Sequence, residues 1–271
     1  MHNDMTYYRK NKRRKNEDSK IRRGIYILSN LLTTGNLFAG FVSIVCTISG
    51  DYEKAAIAIL ISWIMDILDG KVARLAGASS RFGIEYDSLA DLVAFGVAPG
   101  LLIYMWALTD LERLGWLAAF AFVACGALRL ARFNTMATTE AKQYFLGLPI
   151  PGAAGLVATL VLFLHPHYPQ PEGALSVVLM VVVFALSLLM VSNIRYSAFK
   201  ELDFIKTKPI RATLVMVLLI VVIVAKPRMI LFAGLLSYVL SGPSLWLGRA
   251  LKKSHVSSVE KEEKLSKGDL T

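Results

Sequence analysis

The chain alternates long apolar runs with short polar segments, and this pattern predicts a series of membrane-spanning helices. About eight runs approach the ~20 residues that a helix needs to cross ~30 Å of hydrocarbon, although two of them are short. Turn-forming residues such as Gly50 and Asp51 separate the runs. We therefore expect an all-α, polytopic membrane helix bundle with about eight transmembrane helices. The predicted spans are residues 31–49, 55–75, 84–108, 114–133, 150–165, 173–193, 211–225 and 229–247.

Composition and charge agree with a membrane protein. The 271 residues are 55% hydrophobic and have a mean hydropathy of +0.53, which is too apolar for a soluble domain. The net charge of +10 does not indicate nucleic-acid binding, because the basic residues concentrate in the tails and short loops. All but four of the 30 Lys and Arg residues fall on one side of the predicted membrane, which by the positive-inside rule places both termini in the cytoplasm. The four exceptions are Lys54, Arg113, Lys226 and Arg228.

The same pattern divides the chain into three parts. Residues 1–23 hold nine Lys and Arg against three acidic residues and lack apolar periodicity. We expect an unstructured, solvated cytoplasmic tail there, with attachment to anionic lipid headgroups as the alternative. Residues 24–250 form the membrane domain. Residues 251–271 mix Lys with Glu, Asp and Ser, which predicts a second, disordered tail.

Four aspartates occupy the cytoplasmic ends of two predicted spans. Asp66 and Asp69 lie near the end of the second span, and Asp87 and Asp91 lie near the beginning of the third. A charged side chain at membrane depth costs roughly 2.5–3.5 kcal/mol on insertion scales, so these carboxylates indicate function. Residues three or four apart share a helix face, which would let the two pairs converge. Converging carboxylates need protons or a cation between them, and Mg²⁺ or Mn²⁺ suits such oxygen ligands.

The spacing of these residues resembles the signature of a known family. Residues 66–91 match the pattern D-x2-D-G-x2-A-R-x8-G-x3-D-x3-D at every fixed position. The chain is thereby similar to the CDP-alcohol phosphotransferases. Weaker motifs over about residues 25–210, among them Arg-Leu-Ala-Arg-Phe-Asn, resemble the phosphatidylserine-forming branch of that family.

This resemblance implies a fold, a reaction and a site. The fold would be the membrane helix bundle of the family, and the reaction would join CDP-diacylglycerol and L-serine to give phosphatidylserine and CMP. All four aspartates would hold divalent metal, in two ions, and Asp91 would also be the general base. The resemblance further implies a homodimer in a bacterial or archaeal inner or plasma membrane, with a cytoplasmic active site. The CDP-lipid would contact Asn30, Thr33, Gly70, Ala73, Arg74, Ser80 and Gly83. Ser29 stands where the family often has proline before the asparagine.

Residues at the end of the fourth predicted span are candidates for binding the acceptor. Arg129 and Arg132 are three apart, so they share a face and could bind a carboxylate through paired hydrogen bonds, with Asn134 beside them. The alternative is ordinary positive-inside flanking.

Two alternative functions follow from the same residues. Basic residues near the site would also suit a phosphorylated acceptor, so the same chemistry with glycerol 3-phosphate or an inositol compound stays open. Membrane aspartates also occur in cation-coupled transporters, but those predict discontinuous helices and symmetry-related halves. Neither feature is visible in this sequence.

Overall fold

The first two helices form a hairpin that contributes polar residues to the candidate active site. The computed structural model of the protein describes residues 2–75, 81–136, 145–196 and 225–245. Helix α1 covers His2–Ile48 and helix α2 covers Tyr52–Leu75. Between them Gly50 has φ 79°, a left-handed conformation that glycine adopts at little cost. The hairpin therefore reverses within a few residues, and α1 and α2 pack side by side.

The amino-terminal segment differs from the expectation. We predicted an unstructured tail over residues 1–23, whereas α1 already begins at His2. Lys, Arg and Glu have high helix propensity, so a charged segment can extend a helix that the following apolar residues stabilise. The cytoplasmic location of this segment stays a prediction. Residues 251–271 lie outside the described residues, and so does their predicted disorder.

Residues 81–136 form a second helical hairpin. Its first arm contains α3 (Arg81–Asp91), a π-helical segment (Leu92–Val97), α4 (Ala98–Ile103) and a second π-helical segment (Tyr104–Leu108). A 3-10 turn (Thr109–Leu111) then leads into α5 (Glu112–Met136). A Cβ atom on Gly115 would lie 2.0 Å from the carbonyl oxygen of Leu108, and one on Gly100 would lie 3.0 Å from Val123. The two arms therefore run antiparallel in close contact.

Helix α6 lies at the centre of the bundle. It covers Ile150–Leu164, and Ile150 and every residue from 152 to 162 are buried. Its first half is rich in glycine and alanine, and such small residues let neighbouring helices approach closely. Helix α7 (Ala174–Val191) follows, and the described part of the chain ends with helix α8 (Pro227–Leu245).

A short β pairing holds the segment before α6 against the end of α7. Strand β1 (Phe145–Leu146) pairs antiparallel with β2 (Arg195–Tyr196). Gly147 has φ 80°, and its amide donates to the carbonyl of Ile194 at 2.9 Å. A Cβ atom there would lie 2.3 Å from the carbonyl oxygen of Met190, so this contact requires glycine. The β pairing thus joins the segment before the start of α6 to the segment after the end of α7.

Helix α8 is fixed at both ends by polar contacts. Arg228 donates two hydrogen bonds to Glu53 of α2, at 3.0 and 2.9 Å. The Glu53 carboxylate thereby compensates the charge of Arg228, one of the four basic residues that did not follow the positive-inside rule. Near the other end, the hydroxyl of Tyr196 donates to the carbonyl of Val239 at 3.1 Å. The carboxyl-terminal half of α8 is therefore held beside β2.

Helices occupy the positions of seven of the eight predicted spans, although not all of them have the length and hydropathy of a membrane span. The seventh predicted span, residues 211–225, lies outside the described residues except for Ala225, so the count of eight stays a prediction. Within the described ranges, four helical stretches are long and apolar enough to cross a membrane, and the second contains both arms of the hairpin described above. The all-α, polytopic membrane bundle is confirmed. These stretches are Tyr26–Ile48, Phe82–Thr135, Ala174–Val191 and Pro227–Leu245.

Candidate active site

Three of the four aspartates converge between α2 and α3. One carboxylate oxygen from each of Asp66, Asp87 and Asp91 lies within 4.8 Å of the other two. Asp66 and Asp87 are half-buried, and Asp91 is only 8% exposed. Three carboxylates this close, shielded from water, repel one another strongly unless a cation or protons compensate them. Their oxygen donors fit a hard divalent cation such as Mg²⁺ or Mn²⁺.

Asp69 makes a different set of contacts. Its two carboxylate oxygens accept hydrogen bonds from the hydroxyls of Ser29 and Thr33 on α1. Residues three apart differ by roughly 60° around a helix, which explains why Asp66 reaches α3 whereas Asp69 reaches α1. The sequence predicted all four aspartates as metal ligands. The structure places three in one cluster, and the role of Asp69 as a ligand stays a prediction.

The first half of a polar face of α1 contacts the aspartates through Ser29, Thr33 and Asn36, and sequence reasoning missed most of this face. The side-chain amide of Asn36 donates to Oδ1 of Asp91 at 2.9 Å. Ser62 of α2 donates in turn to the side-chain oxygen of Asn36. A sequence signal existed, because small or polar residues recur every three or four positions along α1 and therefore share one face. They are Ser29, Thr33, Asn36, Gly40, Ser43 and Thr47.

Close helix packing brings α1 to the segment that follows Asp91. A Cβ atom on Gly40 would lie 2.7 Å from the Cα atom of Ala94, so only glycine permits this approach. Ala94 belongs to the π-helical segment that begins directly after Asp91. Asn36, one turn before Gly40, is thereby brought within reach of the Asp91 carboxylate.

Some of the residues predicted to bind the CDP-lipid lie within the described part of the chain. These residues lie near the aspartates. Thr33 bonds to Asp69, and Asn30 lies half-buried about one turn earlier on α1. Gly70 follows Asp69 directly, and Gly83 lies one turn before Asp87; both are half-buried. Ser80 and the side chains of Ala73 and Arg74 lie outside the described residues. For all of these residues, binding of the CDP-lipid stays a prediction.

The predicted acceptor residues differ in their surroundings. Arg129 is half-buried and lies near Asp91 and near Tyr238 of α8. Its buried Nε atom has no hydrogen-bond partner among the described residues. Arg129 therefore has donor capacity beside the aspartates. Tyr238 is a neighbour that the sequence pattern did not reveal, because α8 is far away along the chain.

Arg132 and Asn134 instead join neighbouring helices. Arg132 donates to the side-chain oxygen of Asn193, just beyond α7, at 2.8 Å. Asn134 donates to the hydroxyl of Ser88, which follows Asp87 on α3, at 2.9 Å. These contacts support the end of α5 against α7 and α3. Their role in acceptor binding stays a prediction.

A known family model covers the part of the chain that builds this site. The model for CDP-alcohol phosphatidyltransferases matches residues 26–189. This range begins in α1 and ends in α7, so it contains the whole aspartate signature. Helix α8 and Tyr238 lie outside the match.

Curated relatives agree with the family model. A CDP-diacylglycerol–serine O-phosphatidyltransferase of Helicobacter pylori is 44% identical over 177 residues, which are 65% of this chain and 74% of the relative. An archaetidylserine synthase of Methanothermobacter thermautotrophicus is 38% identical over 171 residues, 62% of this chain and 69% of the relative. A CDP-diacylglycerol–serine O-phosphatidyltransferase of Bacillus subtilis is 35% identical over 171 residues, 63% and 90% respectively. With more than half of its length matched by the family model, this chain belongs to the CDP-alcohol phosphatidyltransferase family.

Proposed function

We propose that the protein is an integral membrane enzyme that makes phosphatidylserine. It transfers the phosphatidyl group of CDP-diacylglycerol to the hydroxyl of L-serine and releases CMP. The observation that carries this function is the convergence of Asp66, Asp87 and Asp91 in a chain of this family. The choice of serine rests on relatives whose names specify a serine-linked product or acceptor.

The aspartate cluster is where a divalent cation would bind. Asp66, Asp87 and Asp91 supply the oxygen donors, and we propose Asp69 as a fourth ligand and two ions in all. A divalent cation held there, Mg²⁺ or Mn²⁺, would neutralise charge on the diphosphate and would stabilise the charge that develops on the departing CMP. The hydroxyls of Ser29 and Thr33 hold the Asp69 carboxylate in place before any substrate arrives.

Asp91 is the proposed general base. The serine oxygen forms a bond to the phosphorus that carries the diacylglycerol, and the bond from that phosphorus to the CMP oxygen breaks. CMP leaves with the electron pair of that bond. A serine hydroxyl is a poor nucleophile at neutral pH, so its proton must go to a nearby base. The Asp91 carboxylate, which is largely buried against Asn36 of α1, accepts this proton.

The donor lipid is proposed to lie along α1, α2 and α3. Asn30, Thr33, Arg74 and Ser80 would contact the CDP moiety. Gly70, Ala73 and Gly83 are small, so the diphosphate could approach the helix backbones between them. The acyl chains would remain in the bilayer while the headgroup reaches the cytoplasmic side. We also propose that both termini are cytoplasmic and that the enzyme is a homodimer.

The carboxylate of serine is proposed to bind Arg129. We expect Arg129→Ala to raise the Michaelis constant for serine by roughly 10- to 150-fold, the cost of losing one hydrogen bond to a charged group. The Michaelis constant for CDP-diacylglycerol should change far less. Initial rates with each substrate titrated in turn measure both constants. Equal weakening of both substrates would mark Arg129 as a ligand of the diphosphate instead.

Arg132→Ala is the matched comparison, three residues further along α5. A rise in the Michaelis constant for serine would keep Arg132 in the acceptor site, as the sequence predicted. An unchanged constant would leave it as the link to Asn193 that the structure contains. Asn134→Ala, which removes the bond to Ser88, completes the series.

Release of CMP tests the proposed function directly. Purified protein in detergent micelles receives CDP-diacylglycerol and, separately, serine, glycerol 3-phosphate, inositol or inositol phosphate. We expect CMP release and a new phospholipid only with serine. A different productive acceptor would correct the substrate and keep the reaction class. Absence of CMP release with every acceptor would contradict the enzyme and favour a transporter.

A further inference from the structure

A buried chain of hydrogen bonds ends on Asp91. Ser62 of α2 contacts the side-chain oxygen of Asn36, and the amide nitrogen of Asn36 donates to Oδ1 of Asp91 at 2.9 Å. The hydroxyl of Ser62 also lies 3.1 Å from the backbone carbonyl of Asn36. Both Asn36 and Ser62 have 0% exposure. Three elements, α1, α2 and α3, thus meet in one polar contact that is almost fully buried.

The contacts allow only one orientation of the Asn36 amide when Asp91 is ionised. A carboxylate oxygen can only accept hydrogen bonds, so the group facing it must be the amide NH₂. The amide oxygen then faces Ser62, whose hydroxyl can donate to it. The reverse orientation would place two acceptors together in a dry site, which is costly. The ionised Asp91 therefore selects the orientation of Asn36, and Ser62 stabilises that orientation when its hydroxyl donates to the amide oxygen.

A general base must also be held in a definite position. The Asn36 bond occupies one lone pair of Oδ1 and restricts rotation of the carboxylate. The carboxylate can then present its remaining lone pairs to the cluster formed with Asp66 and Asp87. Catalytic groups act efficiently only when contacts around them fix their geometry.

We propose that Asn36, supported by Ser62, is a positioning residue that aligns Asp91 for proton transfer. This inference rests on the proposed function, because it assumes that Asp91 is the base. Neither residue belongs to the aspartate signature, and neither was predicted from the sequence as part of the site. Both act through Asp91, so their loss should affect turnover more than donor binding.

The test separates turnover from binding in two single variants and their combination. We expect Asn36→Ala to lower kcat by roughly 10- to 150-fold, and Ser62→Ala by roughly 2- to 10-fold, since the second bond is between neutral groups. The equilibrium affinity for CDP-diacylglycerol should stay near the wild-type value in both. The double variant should be no slower than Asn36→Ala, because Ser62 acts through Asn36 and the two effects are not additive.

Ser43→Ala is the matched control. Ser43 also lies on α1, is 0% exposed, and its hydroxyl has no hydrogen-bond partner among the described residues. Its replacement should leave kcat unchanged. Retained binding of CDP-diacylglycerol shows that a variant is folded. If Asn36→Ala no longer binds the donor, the milder variant Ser62→Ala serves as the test of the inference.

Several outcomes would overturn the inference. A wild-type kcat in Asn36→Ala would exclude a positioning role. Where Asn36→Ala is not folded, a wild-type kcat in a folded Ser62→Ala would exclude it. A parallel loss of kcat and donor affinity in Ser62→Ala would mean that the Asn36–Ser62 pair only supports helix packing. Fully additive effects in the double variant would separate Ser62 from Asn36. Failure of the wild-type protein to release CMP would instead contradict the proposed function, so the two failures are distinguishable.

Discussion

Asp91→Asn is expected to lower phosphatidyl transfer by roughly 100- to 10,000-fold, the range that a general base contributes. Asparagine has nearly the same shape as aspartate and can still accept the hydrogen bond from Asn36. It cannot take up the proton of the serine hydroxyl. Binding of CDP-diacylglycerol should fall far less than the rate, because Asp66 and Asp87 remain and the side-chain oxygen of asparagine can still serve as a neutral metal ligand. Single-turnover rates and equilibrium binding of the donor measure the two effects separately.

Two further variants serve as comparisons for Asp91→Asn. Asp66→Asn should weaken metal and donor binding as well as transfer, since Asp66 is a proposed ligand without a proposed base role. Asp110→Asn makes the same change of charge in the exposed turn before α5 and should leave the rate unchanged. Near-normal transfer by Asp91→Asn would remove Asp91 from the mechanism.

Removal of divalent metal is expected to abolish turnover. The clustered carboxylates of Asp66, Asp87 and Asp91 have no compensating cation besides the charge of Arg129 near Asp91, as far as the described residues go. A catalytic metal contributes several kcal/mol of charge stabilisation, and its loss corresponds to a decrease in rate of roughly 1000-fold. Activity should return when excess Mg²⁺ or Mn²⁺ is added after EDTA. Full turnover in excess EDTA would contradict the metal site.

Thermal unfolding gives a second readout that does not depend on activity. A cation that binds only the folded protein raises the unfolding temperature, and the increase grows with its concentration. We expect such a shift for the wild-type protein in Mg²⁺ or Mn²⁺. In Asp87→Asn the shift should be smaller, because one ligand has lost its charge. An equal shift in both proteins would place the stabilising ion elsewhere.

The lengths of the apolar runs and the spacing of the aspartates were sufficient to predict the helices and the family. Long apolar runs such as residues 173–193 exclude almost every structure but a membrane helix, because backbone groups in lipid must bond within their own segment. The aspartate signature lies within two adjacent helices, so its members are near one another for local reasons. A family with a fixed local spacing can therefore be identified without tertiary structure.

The four aspartates show what this local reasoning leaves open. Asp66 and Asp69 were expected on one common face, yet roughly 60° of helix rotation is enough to direct them toward different neighbours. Which neighbour lies on which side depends on how α1 packs. That packing depends on Gly40 approaching Ala94, which is a contact between distant parts of the chain.

What the sequence by itself determined was the membrane class, the positions of most helices and the aspartates that belong to the family signature. Only the tertiary structure decided that Asn36 and Ser62 meet Asp91, that Asp69 bonds to Ser29 and Thr33, and that Tyr238 reaches Arg129. The physical reason is that hydropathy and short motifs depend on residues within a few turns of one helix. Contacts between helices depend instead on their rotation and close packing, which small residues such as Gly40 permit but do not specify.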